Sequence, residues 1–174
     1  LVGLGSKPGD RVATLAWNGY RHFELYYAIS GIGAVCHTIN PRLFPEQLTY
    51  IVNHAEDRLL FLDLTFVPLI AKLKPELKPV ASYIAMTDAE HMPAGGGGID
   101  GLLCYEALLE HGEPEITWPE LDENAACALC YTSGTTGEPK GALFSHRSTV
   151  LHALYVVASL PRPFGQDKPI LPVV

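Results

Sequence analysis

The stretch YTSGTTGEPKGALFSH, residues 131–146, decides how the rest of the chain is read. Between Thr132 and Gly141 it holds three glycines, four Ser or Thr residues and one lysine, with apolar residues on both flanks. Such side chains build no core. Gly134, Gly137 and Gly141 let the backbone take conformations and close approaches that a Cβ would block. Successive N–H groups can then converge on one anion. Thr132, Ser133, Thr135 and Thr136 add hydroxyl donors, and Lys140 adds a full positive charge. Hydrogen bonds to a charged group contribute about 1.5–3 kcal/mol each, so a few of them hold a polyphosphate without a wide basic patch. An ordinary polar turn would account for the glycines but not for the hydroxyls and the lysine. The P-loop pattern G-x-x-x-x-G-K-[ST] is not met, because this loop contains no Gly-Lys pair.

The loop follows AACALCY (125–131), a small-residue apolar run that reads as a strand. Ligands of open α/β sheets bind beyond the carboxyl ends of strands, which is where this loop falls. Upstream, the pattern alternates. RVATLAW (11–17) is a buried strand, residues 20–32 a helix and AVCHTIN (34–40) a strand. Pro45 opens a helix at a position where its missing N–H costs nothing, with Glu46 in the first turn and Leu48, Ile51, Val52 and Ala55 on one face. RLLFLD (58–63) and SYIAM (82–86) are strands around a helix at 64–73. PAGGGG (93–98) reads as a flexible surface loop, residues 102–111 as a helix closed by Gly112, and EPEITWPELDEN as a proline-broken connector. After the loop, GALF is a short strand. Ser145 caps a helix whose Val150, Ala153, Leu154 and Val157 share a face. The expected fold is α/β, a mostly parallel sheet flanked by helices.

Hydrophobic residues make up 48% of the 174 and charged residues 18%, which excludes disorder and predicts a buried core. A net charge of −7 argues against nucleic acid as a partner. No leader and no apolar run long enough to cross a bilayer are visible, and four cysteines fall short of a disulfide scaffold, so a cytoplasmic location is expected. The chain opens on Leu1 and stops at KPILPVV, which reads as the approach to another strand; a truncated piece of a longer protein is the expectation.

These residues resemble the adenylate-forming enzymes, the family of acyl-CoA synthetases, luciferases and peptide-synthetase adenylation domains. YTSGTTGEPKG is similar to their phosphate-binding signature throughout. KPGDRVATLAWNGYRHFELYYAISGIGAVCHTINPRL resembles the upstream part of their large N-terminal domain, and INPRLFPEQLTYIVNHAEDRLLFLD looks closer to medium- and long-chain fatty acyl-CoA ligases than to amino-acid adenylation domains. The resemblance implies that residues 1–174 are part of an N-terminal AMP-binding domain with a phosphate loop at 132–141 and no C-terminal domain. It implies ATP, Mg²⁺ and CoA as ligands of the parent enzyme, and a carboxylic acid as the other substrate. Thr132, Ser133, Gly134, Thr135, Thr136, Gly137 and Lys140 would cradle the β- and γ-phosphates. Lys140 would act catalytically on the leaving pyrophosphate, and Thr132 would help to ligate Mg²⁺. The family's adenine-binding segment, Mg²⁺-binding glutamate and C-terminal lysine all lie downstream of such a loop. A non-catalytic phosphate-binding or interaction module is the alternative, and a homodimer is left open.

Other features have plainer readings. Cys127 and Cys130, three apart on a strand, point to opposite faces and do not make a zinc or redox pair. With HFE (22–24) they echo a zinc deaminase only faintly, since the proline before the first cysteine is missing. Tyr20, Phe23, Tyr26 and Tyr27 at helical spacing are expected in the core rather than in an acyl channel. His146 suits the entry to a helix as well as an approach to phosphate.

Overall fold

A computed structural model describes residues 1–132 and 138–159. Among these residues seven strands form one sheet in the order β5-β4-β3-β1-β2-β6-β7. They are β1 (Arg11–Leu15), β2 (Val35–Thr38), β3 (Leu59–Leu62), β4 (Ser82–Ala85), β5 (Leu103–Cys104), β6 (Ala126–Thr132) and β7 (Lys140–Ser145). Every neighbouring pair is parallel except β6 with β7, which is antiparallel. The helices are α1 (Tyr20–Gly31), α2 (Pro45–Ala55), α3 (Val67–Leu73), α4 (Tyr105–Glu110) and α5 (His146–Ser159). The expected α/β fold is the one found.

Alternation along the strands splits the core into two layers. Ala13, Leu15, Leu60 and Leu62 face α2 and α3, meeting Leu48, Ile51, Val52, Val67 and Ile70. Val12, Cys36, Leu59, Phe61 and Ile84 face α1 and α4, meeting Leu25, Ile29 and Tyr105. Helices on both faces leave the central strands no solvated side, so β3 reads as a continuous apolar run and Val12 to Leu15 of β1 are all buried. The first turn of α2 forms as its proline predicts, and the Gln47 side chain accepts the Phe44 N–H at 3.2 Å. Helix α5 is capped as expected, with Ser145 Oγ accepting the Ser148 N–H at 3.1 Å.

Three expectations are corrected. The aromatic residues of α1 are not core: Tyr20, Phe23, Tyr26 and Tyr27 are exposed, and His22, Leu25 and Ile29 are the buried stripe. The helix carries two stripes at the same spacing, and the one holding a histidine faces the sheet. His22 can be buried because its ring nitrogens pair with Thr14 Oγ1 (3.0 Å) and the Trp17 carbonyl (3.2 Å). The glycine run is not a loose linker. Residues Ala94–Gly98 form a 3-10 turn with positive φ at Gly95, Gly96 and Gly97, and a Cβ at Gly97 would run into Val67 of α3. Residues 102–111 begin with the two-residue strand β5, which pairs with β4 before α4 starts.

Candidate functional site

Strand β6 runs beyond the end of β2 and terminates at Thr132; its antiparallel partner β7 begins at Lys140. The register sets Thr132 directly opposite Lys140 and Tyr131 opposite Gly141. Residues directly opposite each other on neighbouring strands have Cβ atoms about 4.5–5.5 Å apart. Both Thr132 and Lys140 are exposed. A hydroxyl and an ammonium therefore stand together at the carboxyl end of a parallel-sheet strand, open to a ligand. Ser133, Gly134, Thr135, Thr136 and Gly137 lie outside the described residues.

Behind this pair lies a group of side chains that the sequence did not single out. The Tyr131 hydroxyl meets His54 Nδ1 at 2.6 Å, across 77 residues of chain. His54 stacks on Tyr50 one turn earlier in α2, with ring centroids 5.3 Å apart. Burial raises the pKa of the Tyr50 phenol, and the Glu138 carboxylate beside its hydroxyl raises it further. The Tyr131 ring also rests on His37, centroid to centroid 5.1 Å. His37 Nδ1 in turn meets Asp57 Oδ2 at 2.7 Å, and both side chains are fully buried. Burial pushes the Asp57 carboxyl up and also raises the Tyr131 phenol, which Asp57's charge raises further. Tyr50 and His54 at i, i+4 on α2 were the available signal, together with a histidine inside the otherwise apolar β2. Their partners are too distant in sequence to infer from spacing.

The other candidates fall away. Cys127 lies near Thr149 of α5 (3.4 Å) and Cys130 near Thr38 of β2 (3.3 Å), so the two thiols serve different contacts. All four cysteines are free, and burial pushes the Cys36 thiol up to about 12, leaving it inert. Among the described residues no group of His, Cys, Asp or Glu could hold a metal by itself. A Mg²⁺ ion that takes one or two protein oxygens and completes its shell with phosphates and water would need no such group, and the exposed Thr132 hydroxyl is compatible with it. His146 sits at the far end of the hairpin, where its N–H donates to the Ala125 carbonyl at 3.1 Å, so it serves helix entry.

The family profile described as AMP-binding enzyme matches residues 1–171. The chain belongs to the AMP-binding enzyme family. It is 56% identical over 153 residues to the 3-methylmercaptopropionyl-CoA ligase of Ruegeria lacuscaerulensis, covering 88% of this chain and 28% of that protein. To the medium-chain-fatty-acid–CoA ligase of Ectopseudomonas oleovorans it is 50% identical, over 98% of this chain and 31% of the relative. To the long-chain-fatty-acid–CoA ligase of Thermus thermophilus it is 44% identical over its whole length and 30% of the relative. Among solved structures, the anthranilate CoA ligase AuaEII in complex with anthranoyl-AMP superposes with a TM-score of 0.82 at 25% identity, over 91% of this chain and 29% of that one. The chain thus spans about three-tenths of the length of the curated relatives it matches.

Proposed function

We propose that this AMP-binding chain is part of an AMP-forming acyl-CoA synthetase that activates a fatty or related carboxylic acid. Residues 1–174 would be a portion of its N-terminal domain, with the phosphate loop at 132–141. The observation that carries the reading is the Thr132–Lys140 pair at the carboxyl end of β6, in a chain 50% identical to a medium-chain-fatty-acid–CoA ligase.

In the proposed reaction a carboxylate oxygen attacks the α-phosphorus of ATP. A new P–O bond forms as the bond to the β-phosphate oxygen breaks, giving acyl-adenylate and pyrophosphate. The CoA thiolate then attacks the acyl carbon, AMP leaves, and a thioester results. Lys140 would neutralise charge gathering on the pyrophosphate with its ammonium. Fixed donors of this kind need no reorganisation as the charge develops. Ser133, Gly134, Thr135, Thr136 and Gly137 would supply further hydroxyl and backbone donors. Thr132 would offer a hydroxyl oxygen to Mg²⁺, which when bound screens the phosphate oxygens. Metabolically the protein would serve lipid use in the cytoplasm.

The test is carboxylate-dependent ATP–pyrophosphate exchange by the full-length protein across short-, medium- and long-chain acids, followed by CoA addition and thioester detection. Exchange with a medium- or long-chain acid is expected. Binding of MgATP without exchange for any acid would replace this reading with a non-catalytic phosphate-binding module.

A further inference from the structure

The Tyr131 ring occupies a corner shared by both stems of the site. Along the chain it immediately precedes Thr132. Across the ladder it covers Gly141, the residue after Lys140: a Cβ at Gly141 would lie 3.1 Å from Tyr131 Cζ. Glycine here clears the space the ring needs. The same ring is fixed from two other sides. Its hydroxyl bonds to His54 of α2 at 2.6 Å, and its face rests on the His37 imidazole. His37 is itself immobilised by Asp57, two residues past the end of α2, so the floor under Tyr131 ties β2 to the end of that helix. The Tyr50–His54 stack extends the contact along α2 toward Glu138, in the stem before Lys140.

A buried polar pair is not the cheapest filling for this position, since well-packed apolar residues of similar volume often do as well or better. Two of its atoms, His37 Nε2 and Asp57 Oδ1, have no partner among the described residues. What the arrangement supplies is a unique seat for one ring, and the ring sits where Thr132 and Lys140 emerge.

We propose that Tyr131, seated on the buried His37–Asp57 pair, and His54, bonded to its hydroxyl, are positioning residues that hold Thr132 and Lys140 at the spacing required by the nucleotide's phosphates. This rests on the ligase reading for the identity of the nucleotide, but the bracing itself is a property of the hairpin. Neither side chain reacts. Each acts through the two stems of β6 and β7, so its removal weakens phosphate recognition and leaves acid recognition alone.

The experiment is a double-mutant cycle in the full-length protein with Tyr131→Phe, His54→Ala and the two combined. MgATP affinity is read by calorimetry, and KM for MgATP and for the carboxylate by pyrophosphate exchange. Each single substitution is expected to weaken MgATP about two- to tenfold, the range of one lost hydrogen bond. The double variant is expected to be no worse than the poorer single one, because both remove the same contact. KM for the carboxylate stays within about twofold, within the modest change expected when no contact to the acid is touched. A merely structural role would lower the melting temperature and move both KM values together. Unchanged MgATP affinity in both single variants, or effects that simply add, would overturn the proposal. If the parent protein binds MgATP but exchanges no pyrophosphate, the ligase reading falls, and the calorimetric cycle still decides the brace.

Discussion

Strands β1, β3 and β4 and the β6–β7–α5 region belong to one sheet but live in different surroundings. Leu60 and Ile84 are completely buried, whereas Leu143 of β7 and Val157 of α5 are 64% and 73% exposed. Val150, Leu151, Leu154 and Tyr155 of α5 are exposed as well. The first region draws its stability from apolar layers on both faces. The second carries the exposed hydroxyl and lysine, and it is anchored by few apolar residues and by the polar contacts around Tyr131. Among the described residues the apolar layers and the exposed Thr132–Lys140 pair thus lie in different parts of the sheet, and substitutions should separate them.

The sharpest break comes where the two regions meet. Asp57→Ala leaves His37 buried without its partner and is expected to cost about 3–5 kcal/mol, the usual cost of halving a buried pair. Urea unfolding of the 174-residue chain measures it; a loss under about 1 kcal/mol would mean that water already reaches the pair. Within the apolar layers, Leu60→Ala is expected to cost about 2–5 kcal/mol, while Leu154→Ala on α5 stays within about 0.5 kcal/mol. Equal losses at the two leucines would erase the contrast between the regions.

A smaller effect concerns pH. Glu106 accepts from the Tyr20 hydroxyl and from Arg21 Nε, each at 2.6 Å, and these two partners hold its carboxyl below the usual range. A depressed folded pKa stabilises the protein above the unfolded value of about 4.3, and that share is lost as pH falls through the folded pKa. The contribution is expected to be under about 1 kcal/mol at this partly exposed site. Comparing acid unfolding of Glu106→Gln with the parent should show a shallower decline below about pH 4 in the variant. Parallel curves would assign Glu106 no part in acid stability.

Much of this contrast was legible in the sequence, and the exceptions have physical causes. Strands β1, β3 and β4 announced themselves as short apolar runs between turn residues, and α2 by Pro45 and one clean apolar face. The end of β6 could be placed because its hydroxyls and lysine follow the strand at once. The two-residue β5 was missed because pairing with β4, not local propensity, makes it a strand. The aromatic stripe of α1 was misassigned because burial of His22 depends on Thr14 and the Trp17 carbonyl. The glycine run reads as a linker in the sequence because its turn meets α3 only once the chain is folded. The brace was invisible for a related reason: Tyr131 meets His54 only after the sheet has brought β6 beside β2.

The central claim is that the exposed end of the β6–β7 hairpin serves the nucleotide's phosphates and contributes little to folding. Lys140→Ala in the full-length protein tests it most directly, through carboxylate-dependent ATP–pyrophosphate exchange measured beside the melting temperature. Loss of one charged contact to the leaving group is expected to slow exchange about ten- to hundredfold, with KM for the carboxylate and the melting temperature nearly unchanged. An exchange rate equal to the parent's would contradict the assignment of Lys140, and with it the reading of this strand end as the phosphate site.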